Sequence, residues 1–105
     1  MPKRIDLEQS FVEALKIEKI QYFGKIFSLD DTNLCADYIF DNNIVLVMDK
    51  YNKSKMANIQ KFKKHHPEYN IIILTEKCDG FINDKCVSEI YDNASLKKLI
   101  KKLKQ

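Results

Sequence analysis

Three cysteines and two adjacent histidines are the side chains of this sequence that could bind a metal ion or act as nucleophiles. Cys78 and Cys86 follow the pair His65-His66. Their spacing fits neither the CxxC nor the HxxxH pattern, and a structural zinc site needs four well-placed ligands. A reactive thiol needs a helix N-terminus or cationic surroundings, which the sequence does not indicate here. We therefore expect loop thiols and helix-end histidines, with no metal site, no catalytic residue and no cofactor.

The segment SLKKLIKKLKQ at 95–105 combines positive charge with helical periodicity. Its apolar residues form a stripe that a small domain needs against its sheet, namely Leu96, Leu99, Ile100 and Leu103. The lysines at 97, 98, 101, 102 and 104 then face outward. A basic strip can bind an acidic protein, nucleic acid or an anionic membrane, and lysines in a last turn also stabilise the helix dipole. Because Arg4 is the chain's single arginine, the sequence favours a packed helix with solvated lysines over a helix that binds nucleic acid.

Length and composition indicate one globular domain over residues 1–105. Charged residues make up 31% and hydrophobic residues 45%, and the net charge of +3 is too small to imply nucleic acid by itself. No apolar run approaches the roughly 20 residues that span a bilayer, and no apolar stretch follows the basic residues of MPKRIDLEQS. An odd number of cysteines argues against a disulfide framework. We expect a cytoplasmic protein without a membrane segment.

Two continuous apolar runs are the clearest structural signal: IVLVM at 44–48 and IIIL at 71–74. Such runs are typical of strands covered on both faces. Weaker strand patterns occur at 21–28, interrupted near Gly24, and at 87–91. The sequence thus predicts an α/β domain with a small open parallel sheet of about four strands in sequential order and helices on both faces.

Helical periodicity predicts the segments between these strands. We expect helices at 6–19, at about 30–41, at 54–66 and at 94–104. The second helix would be capped by Ser28 or Asp30 and would place Cys35 on its inward apolar face as a small core residue. Residues 1–6 are too charged to add a strand between the first two strands.

From about Ile20 to Gln105 the chain resembles the receiver domains of bacterial two-component response regulators, which have a flavodoxin-like fold. The segments that carry the resemblance are NNIVLVMD (42–49) and IQKFKKHHPEYNIIILT (59–75). Receivers similarly end their third strand in an aspartate, continue through a helix with a basic, Pro-containing turn, and end the next strand in Thr or Ser. The resemblance implies that Asp49 occupies the phosphoacceptor position and Thr75 that of the hydroxyl contacting the phosphoryl group.

The sequence also departs from the receiver pattern at the residues that carry its chemistry. The first strand and its Mg²⁺-binding acidic pair are missing, Ile90-Tyr91-Asp92 stands where a lysine is expected, and Tyr51-Asn52 replaces the usual Met-Pro. Without that strand the order 2-1-3-4-5 becomes sequential, and the crevice where the order reverses disappears. We therefore expect a pseudo-receiver that cannot be phosphorylated in the receiver manner.

These observations favour a non-catalytic, phosphorylation-independent module for signalling through protein interaction. The binding surface would combine the strand at 87–91 with the last helix, through Tyr91, Lys97, Lys98, Lys101 and Lys102. It would serve an acidic protein or self-association. Two alternatives remain: an active phosphoacceptor at Asp49, with acids supplied by Asp6 and Glu8 or by Asp30-Asp31, and a nucleic-acid-binding protein using the lysine-rich helix.

Overall fold

A computed structural model describes residues 3–104, with side chains from residue 7 onward. This part of the chain forms three helices and five strands. In chain order they are α1 (Lys3–Ile17), β1 (Phe23–Ser28), β2 (Asn33–Phe40), β3 (Asn43–Val47), α2 (Lys53–His65), β4 (Asn70–Leu74), β5 (Glu89–Tyr91) and α3 (Leu96–Lys104).

The strands form one mixed sheet in the order β1-β2-β3-β4-β5. β2 is antiparallel to both of its neighbours, whereas β3, β4 and β5 are parallel. The predicted α/β class is confirmed and the order is sequential, but the prediction of four parallel strands is wrong. A receiver sheet is parallel with the order 2-1-3-4-5, so the observed sheet differs from it in order and in strand direction.

The additional strand is β2, where the sequence had predicted a helix at about 30–41. A register shift in its pairing with β1, between Phe23 and Lys25, changes which side chains face each side of the sheet. Leu34 and Ala36 belong to one core layer, and beyond the shift Tyr38 belongs to the other. This irregularity interrupts the two-residue alternation of a strand and leaves apolar spacings that also fit a helix.

Two short turns complete the antiparallel part of the sheet. The Leu29 amide donates to the Thr32 carbonyl at 2.7 Å and closes the β1–β2 hairpin, so Asp30-Asp31 forms a turn rather than a helix cap. Between β2 and β3, Phe40 pairs with Asn43 around a two-residue loop in which Asp41 has a φ of 56°. Aspartate tolerates this left-handed conformation better than most residues, which suits it to the turn.

The sheet separates two hydrophobic layers. α2 covers one face through Met56, Ile59 and Phe62, while α1 and α3 cover the other. The strands β3 and β4 contribute to both layers, as their continuous apolar runs predicted. Four of their residues expected to be nearly inaccessible are so, with exposed fractions of 6% or less: Val45, Val47, Ile72 and Leu74.

The N-terminal segment adds no strand in the described part of the chain, because residues from Lys3 onward form α1. α1 packs Leu7, Phe11 and Leu15 against the sheet, at the four-residue spacing of one helix face. At the other end of the chain, α3 places Leu96, Leu99 and Ile100 on the same sheet face. The predicted apolar stripe of the last helix is therefore confirmed.

Candidate functional site

Asp49 and Thr75 follow the adjacent parallel strands β3 and β4, at the same edge of the sheet. Asp49 is exposed, but Thr75 is fully buried. The Thr75 hydroxyl lies 3.3 Å from the Asp49 carbonyl and 3.4 Å from that of Lys77, and it accepts from the Lys77 amide at 3.2 Å. The hydroxyl thus links the two loops through backbone groups, with no exposed face for a phosphoryl group.

This edge of the sheet also has no reversal of connections around Asp49 and Thr75. The chain leaves β3 into α2, and the connection from β4 to β5 packs Phe81 and Cys86 into the same core layer as α2. A ligand crevice in an open α/β sheet forms where successive connections leave to opposite faces. Here both connections lie on one face.

The acidic side chains proposed to complete a phosphoacceptor site serve other contacts. Glu8 accepts a hydrogen bond from the Tyr38 hydroxyl at 2.6 Å. Burial raises the pKa of Tyr38, and this hydrogen bond raises it further. Asp30 lies 3.5 Å from His65, and Asp31 lies 2.7 Å from Lys61, so both join the β1–β2 turn to α2. The hydrogen bond from Lys61 lowers the pKa of Asp31. The Asp6 side chain lies outside the described side chains.

The cysteines and histidines have separate surroundings. Cys35 is exposed on β2, so its prediction as a core residue of a helix was wrong. The Cys86 thiol donates to Asp84 at 2.9 Å, and burial together with this carboxylate raises its pKa to about 12, which leaves it unreactive near neutral pH. The His66 ring contacts that of Phe62 in a tilted arrangement, with 5.0 Å between the ring centroids. In residues 7–104, no three His, Cys, Asp or Glu side chains are arranged to bind a metal ion.

One end of the basic helix is tied to the rest of the fold. Lys102 pairs with Glu89 at 2.8 Å, and Lys104 pairs with Glu18 at 2.7 Å. The Tyr91 hydroxyl donates a hydrogen bond to Glu89. Burial and, to a smaller extent, this hydrogen bond raise the pKa of Tyr91 to about 12. Burial alone would raise the pKa of Glu89, but hydrogen bonds from Lys102 and Tyr91 outweigh it and lower the pKa. Two of the predicted binding residues, Tyr91 and Lys102, therefore already have a partner in the fold.

The other predicted lysines point away from the core without such partners. Lys97, Lys98 and Lys101 are exposed, and no carboxylate of the described side chains lies within ion-pair distance of them. Lys98 shares a ridge with Lys102 and therefore lies on the side of β5, an edge strand of three residues. Lys97 and Lys101 lie on the side of α1.

A groove between α1 and α3 was not expected from the sequence. Its apolar lining comes from Ala14 and Ile17 of α1 and from Leu96 and Ile100 of α3. Ile17 lies within the helix predicted at 6–19 and is 75% exposed. The sequence does contain a signal for this exposure, because Ile17 does not continue the four-residue spacing of Leu7, Phe11 and Leu15.

Comparison with known proteins gives no relative for this chain: no family model matches it, and neither curated proteins nor solved structures include a significant match. None of the helices in the described residues is long and apolar enough to cross a membrane.

Proposed function

We propose that this protein is a non-catalytic interaction module that binds an acidic protein surface through α3, independently of phosphorylation. The observation that carries the proposal is the trio Lys97, Lys98 and Lys101, which are exposed on one helix without carboxylate partners among the described side chains. Their positive charge attracts an acidic partner and speeds its association. We name this trio the lysine face.

The rigidity of α3 supports recognition by this surface. Leu96, Leu99 and Ile100 fix the helix on the sheet, and the pairs Lys102–Glu89 and Lys104–Glu18 hold its last turns to β5 and to the end of α1. The lysine face is therefore displayed on a fixed backbone, which limits the entropy lost on binding. The helix dipole favours lysines in the last turn of a helix. It does not account for Lys97 and Lys98, which lie in the first turn of α3.

The non-catalytic part of the proposal is supported by the surroundings of the polar residues. The buried Thr75 hydroxyl is hydrogen-bonded to the backbone of Asp49 and Lys77. The pKa of the Cys86 thiol is about 12, so this thiol is not a reactive nucleophile near neutral pH. The segment 42–75 resembles receivers in sequence, but the mixed sheet gives that resemblance no topological support. We therefore base the proposal on the lysine face alone.

Peptide selection tests the proposal without knowledge of the natural partner. We expect a random peptide library selected on the wild-type protein, and counter-selected on the double variant Lys98→Glu/Lys101→Glu, to become enriched in acidic sequences. Binding of the selected peptides should weaken about tenfold or more in the double variant and should also weaken with added salt, because the contacts are exposed charges.

The thermal midpoint of the double variant is the control for folding. Both lysines are exposed, so the substitutions should change the free energy of unfolding by no more than about 0.5 kcal/mol each. A double variant that unfolds would show that these lysines are structural. Enrichment of peptides without acidic residues, or selected peptides that bind both proteins equally, would contradict the proposal. RNA bound more tightly than any acidic peptide would favour the nucleic-acid alternative.

A second expected result concerns Asp49. Incubation with acetyl phosphate and Mg²⁺ should give no phosphorylated protein by mass spectrometry, because the Thr75 hydroxyl is buried and the described side chains contain no metal-binding cluster. The Asp49→Asn variant is the matched control. A Mg²⁺-dependent gain of one phosphoryl group that disappears in this variant would establish the phosphoacceptor alternative.

A further inference from the structure

We propose that the groove between α1 and α3 binds an acidic amphipathic helix of another protein. This inference rests on the proposed function and specifies the ligand: the lysine face supplies part of the charge, and the groove supplies an apolar site beside it. An amphipathic helix bound in a hydrophobic groove is a recurrent mode of peptide recognition.

The lining of the groove is apolar and recessed. Leu96 and Ile100 form its base with exposed fractions of 9% and 7%, and Ala14 opens space beside them because its side chain is small. Ile17 projects at the end of α1 and is the most exposed large hydrophobic residue among the described side chains. A ligand with an apolar face would bury both the exposed isoleucine and the recessed apolar surface beside it, and this burial would stabilise the complex.

The rim of the groove carries positive charge. Lys97, Lys101 and Lys104 lie along one side of α3, at spacings of four and three residues that place them on one ridge. Glu18 lies on the opposite side and pairs with Lys104 at 2.7 Å. This pair neutralises one end of the rim, so Lys97 and Lys101 leave a net positive charge at the other end. Acidic side chains flanking an apolar stripe complement this arrangement.

The dimensions suit a helix. α3 has nine residues, which correspond to about 13 Å of helix axis. That length accommodates apolar side chains at positions i, i+3, i+4 and i+7 of a ligand helix, which recur on one face. α1 and α3 lie side by side on the same face of the sheet. A third helix can therefore pack over the groove between them, with its ridges of side chains in the grooves of both helices.

Other occupants fit this groove less well. An amphipathic helix binds an anionic membrane by inserting its apolar face into the headgroup region, whereas here Ile17 alone protrudes from the groove and Leu96 and Ile100 are recessed. A second copy of this chain would have to offer an acidic helix. α2 and α3 contain lysines and no acidic residue, so they would be repelled by the rim. α1 contains acidic residues, but its apolar face of Leu7, Phe11 and Leu15 is already packed against the sheet and cannot enter the groove of another copy.

Fluorescence anisotropy with a designed probe tests the inference on the full chain. The probe is a labelled peptide of about 14 residues, or four helical turns, with Leu at i, i+3, i+4 and i+7, Glu at the positions flanking this stripe and Ala at the remaining positions to favour the helix. A scrambled peptide of identical composition and charge serves as the comparison. We expect the amphipathic probe to bind about tenfold or more tightly than the scrambled one, because the latter cannot present a continuous apolar stripe.

The variant Ile17→Glu should weaken binding of the amphipathic probe about tenfold or more, since it removes an apolar contact and adds a like charge. Its matched control is Ile82→Glu, at an isoleucine that is 66% exposed and does not line the groove, which should leave the affinity unchanged. Both positions are exposed, so both variants should keep the wild-type thermal midpoint. If Ile17→Glu nevertheless unfolds, the variant Lys97→Glu takes its place and should weaken binding of the probe in the same direction.

The outcomes separate the two proposals. Equal binding of the amphipathic and scrambled probes would overturn the groove inference and leave the acidic-partner function standing. No binding of either acidic peptide would count against both. An Ile17→Glu variant with wild-type affinity would also overturn the inference, as would binding to phosphatidylserine vesicles in the absence of probe binding, which would assign the groove to a membrane surface.

Discussion

Replacing Phe27 by alanine is expected to lower the free energy of unfolding by about 3–5 kcal/mol. Phe27 is 5% exposed and lies edge-to-face against Phe62, with 4.7 Å between the ring centroids. It also contacts the rings of His66 and Tyr69. The substitution removes the aromatic group that joins the edge strand β1 to α2 and leaves a cavity that a close-packed core fills only in part. Urea denaturation of the two proteins measures the difference.

The neighbouring position provides the control for this experiment. Ile26 is 62% exposed on the opposite side of the same strand, so Ile26→Ala should change the free energy of unfolding by about 0.5 kcal/mol or less. If the two substitutions had equal effects, β1 would not have the facing seen in the structure. If residues 23–28 formed a helix or a loop, the two substitutions would not differ in this way in their effect on the free energy of unfolding.

The parts of the fold that the sequence predicted correctly are those with an unambiguous hydrophobic period. The runs at 44–48 and 71–74 became the two central strands, and the Leu96–Leu99–Ile100 stripe became the buried side of α3. α2 ends near Pro67, as expected, and its N-terminus is capped by the Asn52 side chain, which accepts from the Lys55 amide at 3.0 Å. Local pattern and tertiary environment agree at these positions.

The wrong prediction at β2 has a physical origin that a single sequence conceals. Side chains on either side of the irregular pairing with β1 face different layers, so Ala36 and Tyr38, two residues apart, lie on opposite faces of the sheet. A strand with such a shift loses its period of two. The turn residues Asp41-Asn42 were the better signal, because two turn-forming residues between apolar runs favour a hairpin over a helix end.

The candidate site could be predicted only in part for a related reason. Charge is visible in sequence, so the lysines of α3 were identified, but the sequence does not show which of them meet a carboxylate. Lys102 meets Glu89 only because β5 lies beside α3. The groove depends on the relative placement of α1 and α3, which are almost 80 residues apart in the chain. Such a long-range arrangement leaves no mark on local periodicity, apart from the departure of Ile17 from the four-residue spacing of α1.

The loop between β4 and β5 is expected to be intolerant of one small substitution, Gly80→Ala. Gly80 has a φ of +88°, and a Cβ atom there would lie 2.7 Å from Cγ and 2.8 Å from Cβ of Tyr51. The Tyr51 ring has little freedom to withdraw, because it packs against the buried Phe81 and its hydroxyl donates to Asp84 at 3.3 Å. Backbone strain and overpacking together should lower the free energy of unfolding by about 2–4 kcal/mol.

The only other glycine of the chain provides the matched control for this prediction. Gly24→Ala places its Cβ atom 3.4 Å from the Ala36 carbonyl oxygen, at ordinary contact distance and without a positive φ. Its effect should stay below about 1 kcal/mol, and the reduced freedom of the unfolded chain offsets part of any cost. Chemical denaturation of both variants compares identical changes in composition at two positions. A Gly80→Ala variant as stable as Gly24→Ala would show that the 76–88 connection does not hold its left-handed turn against Tyr51 in solution.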